Sequence, residues 1–392
     1  MRSQSKKLFD YLSNNEIRAF LFQTITIVAI FYFFYAAFDN MFDNIAARGI
    51  NTGYGFLDDE SGFNIAESLI EYSSSSTNLQ VFYVGILNTL MVSVVGIVLA
   101  SVIGLIIGVA RLSRNWLIAK LANGYIEFFR NIPILLQILF WYNILLINSP
   151  KNIKDSANIA DMVFVNNRGF FLPKPLFESE FIFVLLALIV GFIARIFVKR
   201  HFDKKRDETG QDTNTFLYSI GLLIVLPLAT FLMLDSSIAF SYPVIQGFNF
   251  AGGMSLSPEF IALALALSIY TATYIAEAIR SGIESVNTGQ KEAAYSMGLT
   301  RTQALKMVIL PQALRVSIPP IINQYLNLTK NSSLATAIAY PDLVATFAGT
   351  VLNQVGQAIE IIIMTMLVYL TISLVISFIL NLVNAKLSIK GR

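Results

Sequence analysis

Few side chains in this sequence are placed to do chemistry, and those few stand inside long apolar runs: Glu127 with Arg130, Glu277 with Arg280, and Lys330 followed by Asn331 and Ser332. A charge in such surroundings is costly, so each marks either a transport path or a structural pair. Glu127 and Arg130 are three residues apart, on one helix face. Pro133 follows and frees carbonyls about one turn earlier. Two readings stay open there, a local ion pair steadying a kinked helix and a charge on a substrate path. Glu277 and Arg280 repeat the spacing, with Tyr274 and Thr271 one and two turns earlier on the same face. That face suits a zwitterionic solute or a contact between two subunits. Polar, broken backbone at 330–333 is tolerated at membrane depth only where protein buries it or water reaches it, and broken helices often frame transport sites. Asn88, Thr89 and Gln137 are uncharged candidates for the same path.

Catalysis finds no support. There is no cysteine, and the one histidine, His201, stands in the basic stretch KRHFDKKR. Multi-histidine metal chemistry and thiolate chemistry are therefore absent. No GxxxxGK[ST] phosphate loop and no HExxH occur. The chain is expected to be no enzyme and to hold no metal or cofactor of its own.

The elements that position these residues are membrane spans. Hydrophobic residues make up 55% of the 392 and charged ones 14%, against about 25% charged in a soluble protein. A span needs roughly 20 apolar residues. Residues 19–38, 81–110, 131–150, 213–234 and 361–385 carry no charge; 181–198, 260–281 and about 313–345 carry a few. About eight helical crossings are predicted, the seventh irregular. With the N-terminus inside, lysine and arginine number 20 in the cytoplasmic segments and 6 in the external ones. That asymmetry places both termini in the cytoplasm. The first residues show no cleavage pattern of a secretory signal. Three regions are expected: residues 1–80, a first helix and an acidic, Ser-rich external loop; 81–385, a transmembrane domain with an inserted hairpin at about 178–240 and a cytoplasmic loop at 286–311; and a tail, 386–392. The external tracts 150–178 and 241–256 read as loops, free to touch a delivering protein or to be plain connections.

The cytoplasmic loop NTGQKEAAYSMGLTRTQALKMVILPQALR, residues 287–315, reads as two short helices. Asn287 caps the first, with Gln290 three residues on. Gly298 provides the turn, and Thr300 with Gln303 has capping-box spacing. Pro311 is expected to stop or kink the second helix. Leu305, Val308 and Ile309 give that helix an apolar side.

This stretch resembles the coupling loop of the binding-protein-dependent ABC importer permeases, whose pattern is Glu-Ala-Ala, three residues, Gly, nine residues, then Ile-any-Leu-Pro. Here it stands as Glu292-Ala293-Ala294, Gly298-Leu299 and Val308-Ile309-Leu310-Pro311, with Val308 for isoleucine the one departure. The segments 125–142, 271–294 and 323–343 resemble the polar amino acid branch, and 48–70 resembles its larger general L-amino acid permeases. The resemblance implies an all-α integral membrane fold with a five-helix type I importer core, to which an N-terminal helix and a hairpin are added. It implies an L-amino acid permease of the bacterial inner membrane. Its partners would be an ABC ATPase dimer that binds ATP and Mg, a second permease subunit expected to be a paralogue, and a periplasmic amino acid-binding protein. Glu292 would meet a basic group of the ATPase. Lipid surrounds such a protein; nucleic acid has no part in it. The alternative is a secondary transporter driven by an ion gradient.

Overall fold

The computed structural model describes residues 15–47, 49, 52–176, 181–210, 215–234, 239–247 and 249–387. The basic N-terminal residues, Arg48 and the end of the predicted tail lie outside the described residues. The helices are α1 (Asn15–Ala47), α2 (Asn78–Arg111), α3 (Trp116–Asn131), α4 (Ile134–Asn148), α5 (Phe181–Thr209), α6 (Thr215–Met233), α7 (Pro258–Glu284), α8 (Thr288–Ser296), α9 (Arg301–Ala304), α10 (Leu310–Asn331), α11 (Leu352–Val355) and α12 (Ala358–Leu387). Each of the eight predicted apolar segments is thus largely helical over its described residues. Among the described residues six passages are long and apolar enough to cross a membrane, and the bent pair α3–α4 brings the number to seven. The fifth segment, in α6, has a shorter apolar stretch, Ile220–Met233.

The third span is not the single helix predicted over 131–150. It begins at Trp116 and bends by 102° between α3 and α4. Pro133 causes the break. It has no N–H for the carbonyl of Phe129, and it biases Ile132 to extended backbone; Ile132 adopts φ −94°, ψ 127°. The amide of Gln137 takes over, donating to Phe129 O at 2.8 Å and Ile132 O at 2.9 Å.

The chain falls into two compact units, Val98–Ala276 and Met1–Ile97 with Glu277–Arg392. In the first, the external tracts predicted as loops form small antiparallel sheets. Strands β1 (Ala157–Ile159), β2 (Val163–Asn166) and β3 (Gly169–Leu172) are followed by β4 (Lys174–Leu176), β5 (Ala239–Ser241), β6 (Val244–Gln246), β7 (Asn249–Ala251) and β8 (Met254–Leu256). One sheet has the order β1-β2-β3-β8; β4 pairs with β5 and β6 with β7. Phe164 and Phe171 lie opposite each other in the register and are buried, and the ring of Phe250 stacks on Phe171 at 4.1 Å. Strands of three or four residues show too little alternation to be read as strands in sequence. In the same unit Tyr125 donates to Ile269 O at 2.9 Å and Tyr142 to Glu259 Oε1 at 2.9 Å, which fix α3 and α4 to α7.

The other unit is built around Phe56, Val81, Leu343, Phe347, Val351 and Ile361. Gly85 of α2 admits the backbone of the seventh passage, since a Cβ there would lie 2.8 Å from Leu343 Cα. Every residue of α1 is at least partly exposed, so α1 presents its apolar surface outward. Residues 52–77 form a strap. Gly53 N–H donates to Glu360 Oε1 at 2.7 Å, and Asn78 Nδ2 donates to Phe56 O at 2.9 Å. The Tyr72 hydroxyl donates to Phe63 O at 2.7 Å and meets Ser61 Oγ at 2.7 Å. Burial pushes the Tyr72 hydroxyl above its ordinary pKa, partly offset by Ser61, so it stays a donor at neutral pH.

Candidate functional site

Two capping motifs build the loop that follows α7. The Asn287 side chain accepts from Gly289 N–H at 2.8 Å to open α8, and Gln290 gives its backbone N–H to Asn287 O at 3.0 Å. A Schellman turn closes α8. Leu299 N–H reaches Ala294 O at 3.2 Å and Gly298 N–H reaches Tyr295 O at 2.9 Å. Gly298 has φ +78°, where a side chain would cost about 1–2 kcal/mol. Thr300 then caps α9 with a reciprocal box: Gln303 N–H donates to Thr300 Oγ1 at 3.4 Å, and Thr300 N–H donates to Gln303 Oε1 at 2.9 Å. Of the two expectations for Pro311, a stop or a kink, the stop does not occur. A π-turn, Leu305–Ile309, precedes it and α10 runs on to Asn331. The wider π-turn makes room where Pro311 lacks its N–H and crowds the carbonyl of Met307.

Val286, Ile309 and Ala313 form a small core under the loop, with Ile283 against it. Ala294 is also buried. Glu292, Ala293, Gly298 and Leu310 are exposed, while Leu299, Val308 and Pro311 are half-buried. Tyr295, Met297, Leu305 and Met307 stand exposed beside them, Met297 at 72% and Met307 at 68%. The result is a stiff two-helix knob with a small-residue face, one carboxylate and an apolar rim.

The passage beyond α10 changes geometry repeatedly. A 3-10 turn, Ser332–Ile338, leads to Ala339 at φ 56°, and a π-helix follows over Val344–Val351. Asn88 and Thr89 of α2 hold this break. Asn88 Nδ2 donates to Pro341 O at 2.9 Å and to Glu67 O at 2.8 Å, and Leu343 N–H donates to Thr89 Oγ1 at 3.1 Å. Buried Asp342 accepts from Ala345 N–H at 2.8 Å and from the Tyr369 hydroxyl at 3.3 Å. Tyr369 also meets Ser332 and Thr89. Thr89, Ser332, Asp342 and Tyr369 are therefore one polar cluster. Lys330 is exposed and lines a groove of about 360 Å³ with Ser333, Val344, Thr365, Met366 and Tyr369; Asn331 is half-buried. Asp342 and Tyr369 were outside the predicted set. The charge of Asp342 within an apolar run was the available signal; Tyr369 gave none.

The remaining candidates divide by role. Glu127 and Arg130 are both exposed and do not form the local ion pair considered from their spacing. Arg130 instead lies over the Tyr274 ring, 5.0 Å from its centroid. The Tyr274 hydroxyl meets that of Tyr270 at 2.9 Å, and Thr271 is buried. Glu277 does pair with Arg280, at 2.6 Å, and Arg280 also binds Glu284. Gln137 serves the break at Pro133.

Residues 184–389 match the family described as binding-protein-dependent transport system inner membrane component. YhdX of Escherichia coli (strain K12) is 48% identical over 380 residues, 97% of this chain and 96% of that protein. The general L-amino acid transport system permease protein AapQ of Rhizobium johnstonii is 46% identical, over 96% of this chain and 93% of its own length. The glutamate/glutamine/aspartate/asparagine transport system permease protein BztB of Rhodobacter capsulatus is 39% identical, over 95% of each. The chain is an ABC importer permease, a multi-pass membrane protein belonging to the binding-protein-dependent inner membrane component family. This gives the ion-gradient alternative no support.

Proposed function

We propose that this chain is one of two permease subunits of an ATP-driven importer that carries L-amino acids across a bacterial inner membrane, with both termini in the cytoplasm. The observation that carries the reading is the loop itself, a helix, a Schellman turn and a capped second helix fixed between two spans. The names of the full-length relatives support amino acids of polar or general range as substrate. In this reading Glu292, Ala293, Ala294, Gly298 and Leu299, with Val308, Leu310 and Pro311, present the surface that docks on a partner ATPase dimer. The ATPase binds ATP and Mg, and its closure moves the knob and through α10 the passage beyond it. Lys330 and half-buried Asn331 face the path at the broken passage, and buried Ser332 and Thr89 hold the backbone behind it. Asn88 and Gln137 position backbone. Glu127, Arg130 and Tyr274 form polar surface along α3 and α7, Thr271 is buried within α7, and Glu277 holds Arg280. A periplasmic amino acid-binding protein delivers the substrate, and a paralogous permease completes the path.

The test is uptake by the reconstituted assembly. Labelled amino acid should accumulate when ATP is supplied and a protonophore collapses the membrane potential, and should stop when ATP is withdrawn. Uptake that collapses with the potential while ATP is present would overturn the reading. A mild-detergent pull-down should also recover an ATPase with a phosphate loop and a second permease.

A further inference from the structure

The added hairpin α5–α6 carries an arginine where none is expected. Arg195 lies within the apolar run 181–198, and its neighbours Phe192, Ile193, Ile196 and Phe197 are all exposed. An outward-facing helix of this composition is covered by lipid, and an arginine there needs an anionic partner or must reach for the interface. Among the described residues Arg195, Lys199 and Arg200 have no ion-pair partner, whereas Lys204 pairs with Glu208 and Arg206 with Asp203. Arg195 and Lys199 are one turn apart on the same face.

The packing of the hairpin fixes the level of these cations. Gly191 lies against the Leu222 carbonyl, where a Cβ would approach to 2.7 Å. The Phe202 ring stacks on Tyr218 with centroids 5.1 Å apart. Arg195, between Gly191 and Phe202, is therefore level with the stretch from Tyr218 to Leu222. An apolar groove of about 510 Å³ starts at that level and runs along α6 past Tyr218, Gly221, Leu222, Val225, Leu226 and Ala229. At 1.5 Å per residue it extends roughly 16 Å, about the hydrocarbon depth of one leaflet.

We propose that the hairpin holds an anionic phospholipid, its phosphate on Arg195 and Lys199 with Arg200 alongside, and an acyl chain in the α6 groove. The charges match an anionic headgroup, the groove matches hydrocarbon, and the two meet at one membrane level. The site belongs to the insertion, so it stands whatever solute the importer carries.

The assembly, extracted from its own membranes, is placed in nanodiscs of equal phosphatidylglycerol and phosphatidylcholine, and the lipids it retains are counted by native mass spectrometry. The wild type should retain phosphatidylglycerol preferentially. Arg195→Ala with Lys199→Ala should lower that retention about thirty-fold, at about 1 kcal/mol for each cation near the surface. Removing charge from an apolar span favours insertion, so this variant will still reach the membrane. Arg195→Lys should keep the lipid, and so should Lys204→Ala, whose charge is already paired. Equal retention of the two lipids by the wild type would overturn the proposal. So would a double variant that retains as much phosphatidylglycerol as the wild type, or a protein segment occupying the groove.

Discussion

At the scale of single residues, two side-chain identities have consequences out of proportion to their size. Gln137 gives its amide to the two carbonyls that the break at Pro133 leaves open. Gln137→Leu keeps the volume and removes both donors. It should cost about 1–2 kcal/mol, seen as a fall of several degrees in the unfolding midpoint of the detergent-solubilised protein. Gly298 at φ +78° has open space around it, so the strain of a side chain there is purely backbone. Gly298→Ala should slow ATP-dependent uptake modestly, and Gly298→Pro should abolish it, since proline cannot adopt positive φ. Both proteins should still insert; full uptake by Gly298→Pro would defeat the docking model. The turn at Gly298 and the box of Thr300 with Gln303 were legible in sequence because each motif is local. The role of Gln137 was not, since its target carbonyls depend on how a proline four residues earlier is accommodated. Nor was the partner of Arg130: helical spacing suggested Glu127, but a ring on another helix holds it.

At the scale of elements, the strap 52–77 depends on contacts that its own composition does not announce. Glu360 sits in the first turn of α12 and accepts from Gly53 N–H. Glu360→Ala should release that end of the strap at a cost of about 1.5–3 kcal/mol. Limited proteolysis of the solubilised protein should then cut within the strap several times faster. Glu360→Gln retains an acceptor and should stay protected; equal protection of the alanine variant would show that Phe56 and Asn78 suffice. Helices were easy to read here because a run of eighteen apolar residues has few alternatives in lipid. The small sheets were not, because β1 to β8 are too short to show alternation and their pairings, such as β3 with β8, join residues far apart in sequence. The bend of the third span was only half legible: Pro133 marked where, but not that α3 would begin as early as Trp116.

At the scale of the whole molecule, the distribution of lysine and arginine predicts which face of each span meets the cytoplasm. The absence of cysteine makes that directly testable. Ser156→Cys, in the external tract, should react with a membrane-impermeant maleimide added to intact cells or spheroplasts. Lys205→Cys should react only after the membrane is opened, and the reverse pattern would invert the topology. The two π stretches, 305–309 and 344–351, bear on how this chain compares with its kin. A π-turn holds about one residue more than an α-turn. It is what a one-codon insertion leaves when a helix absorbs it without losing its ends. A gapless alignment drawn across 305–309 to a relative without the bulge would set α10 about 100° out of phase. Residues facing the membrane in one protein would then be matched with residues facing the path in the other.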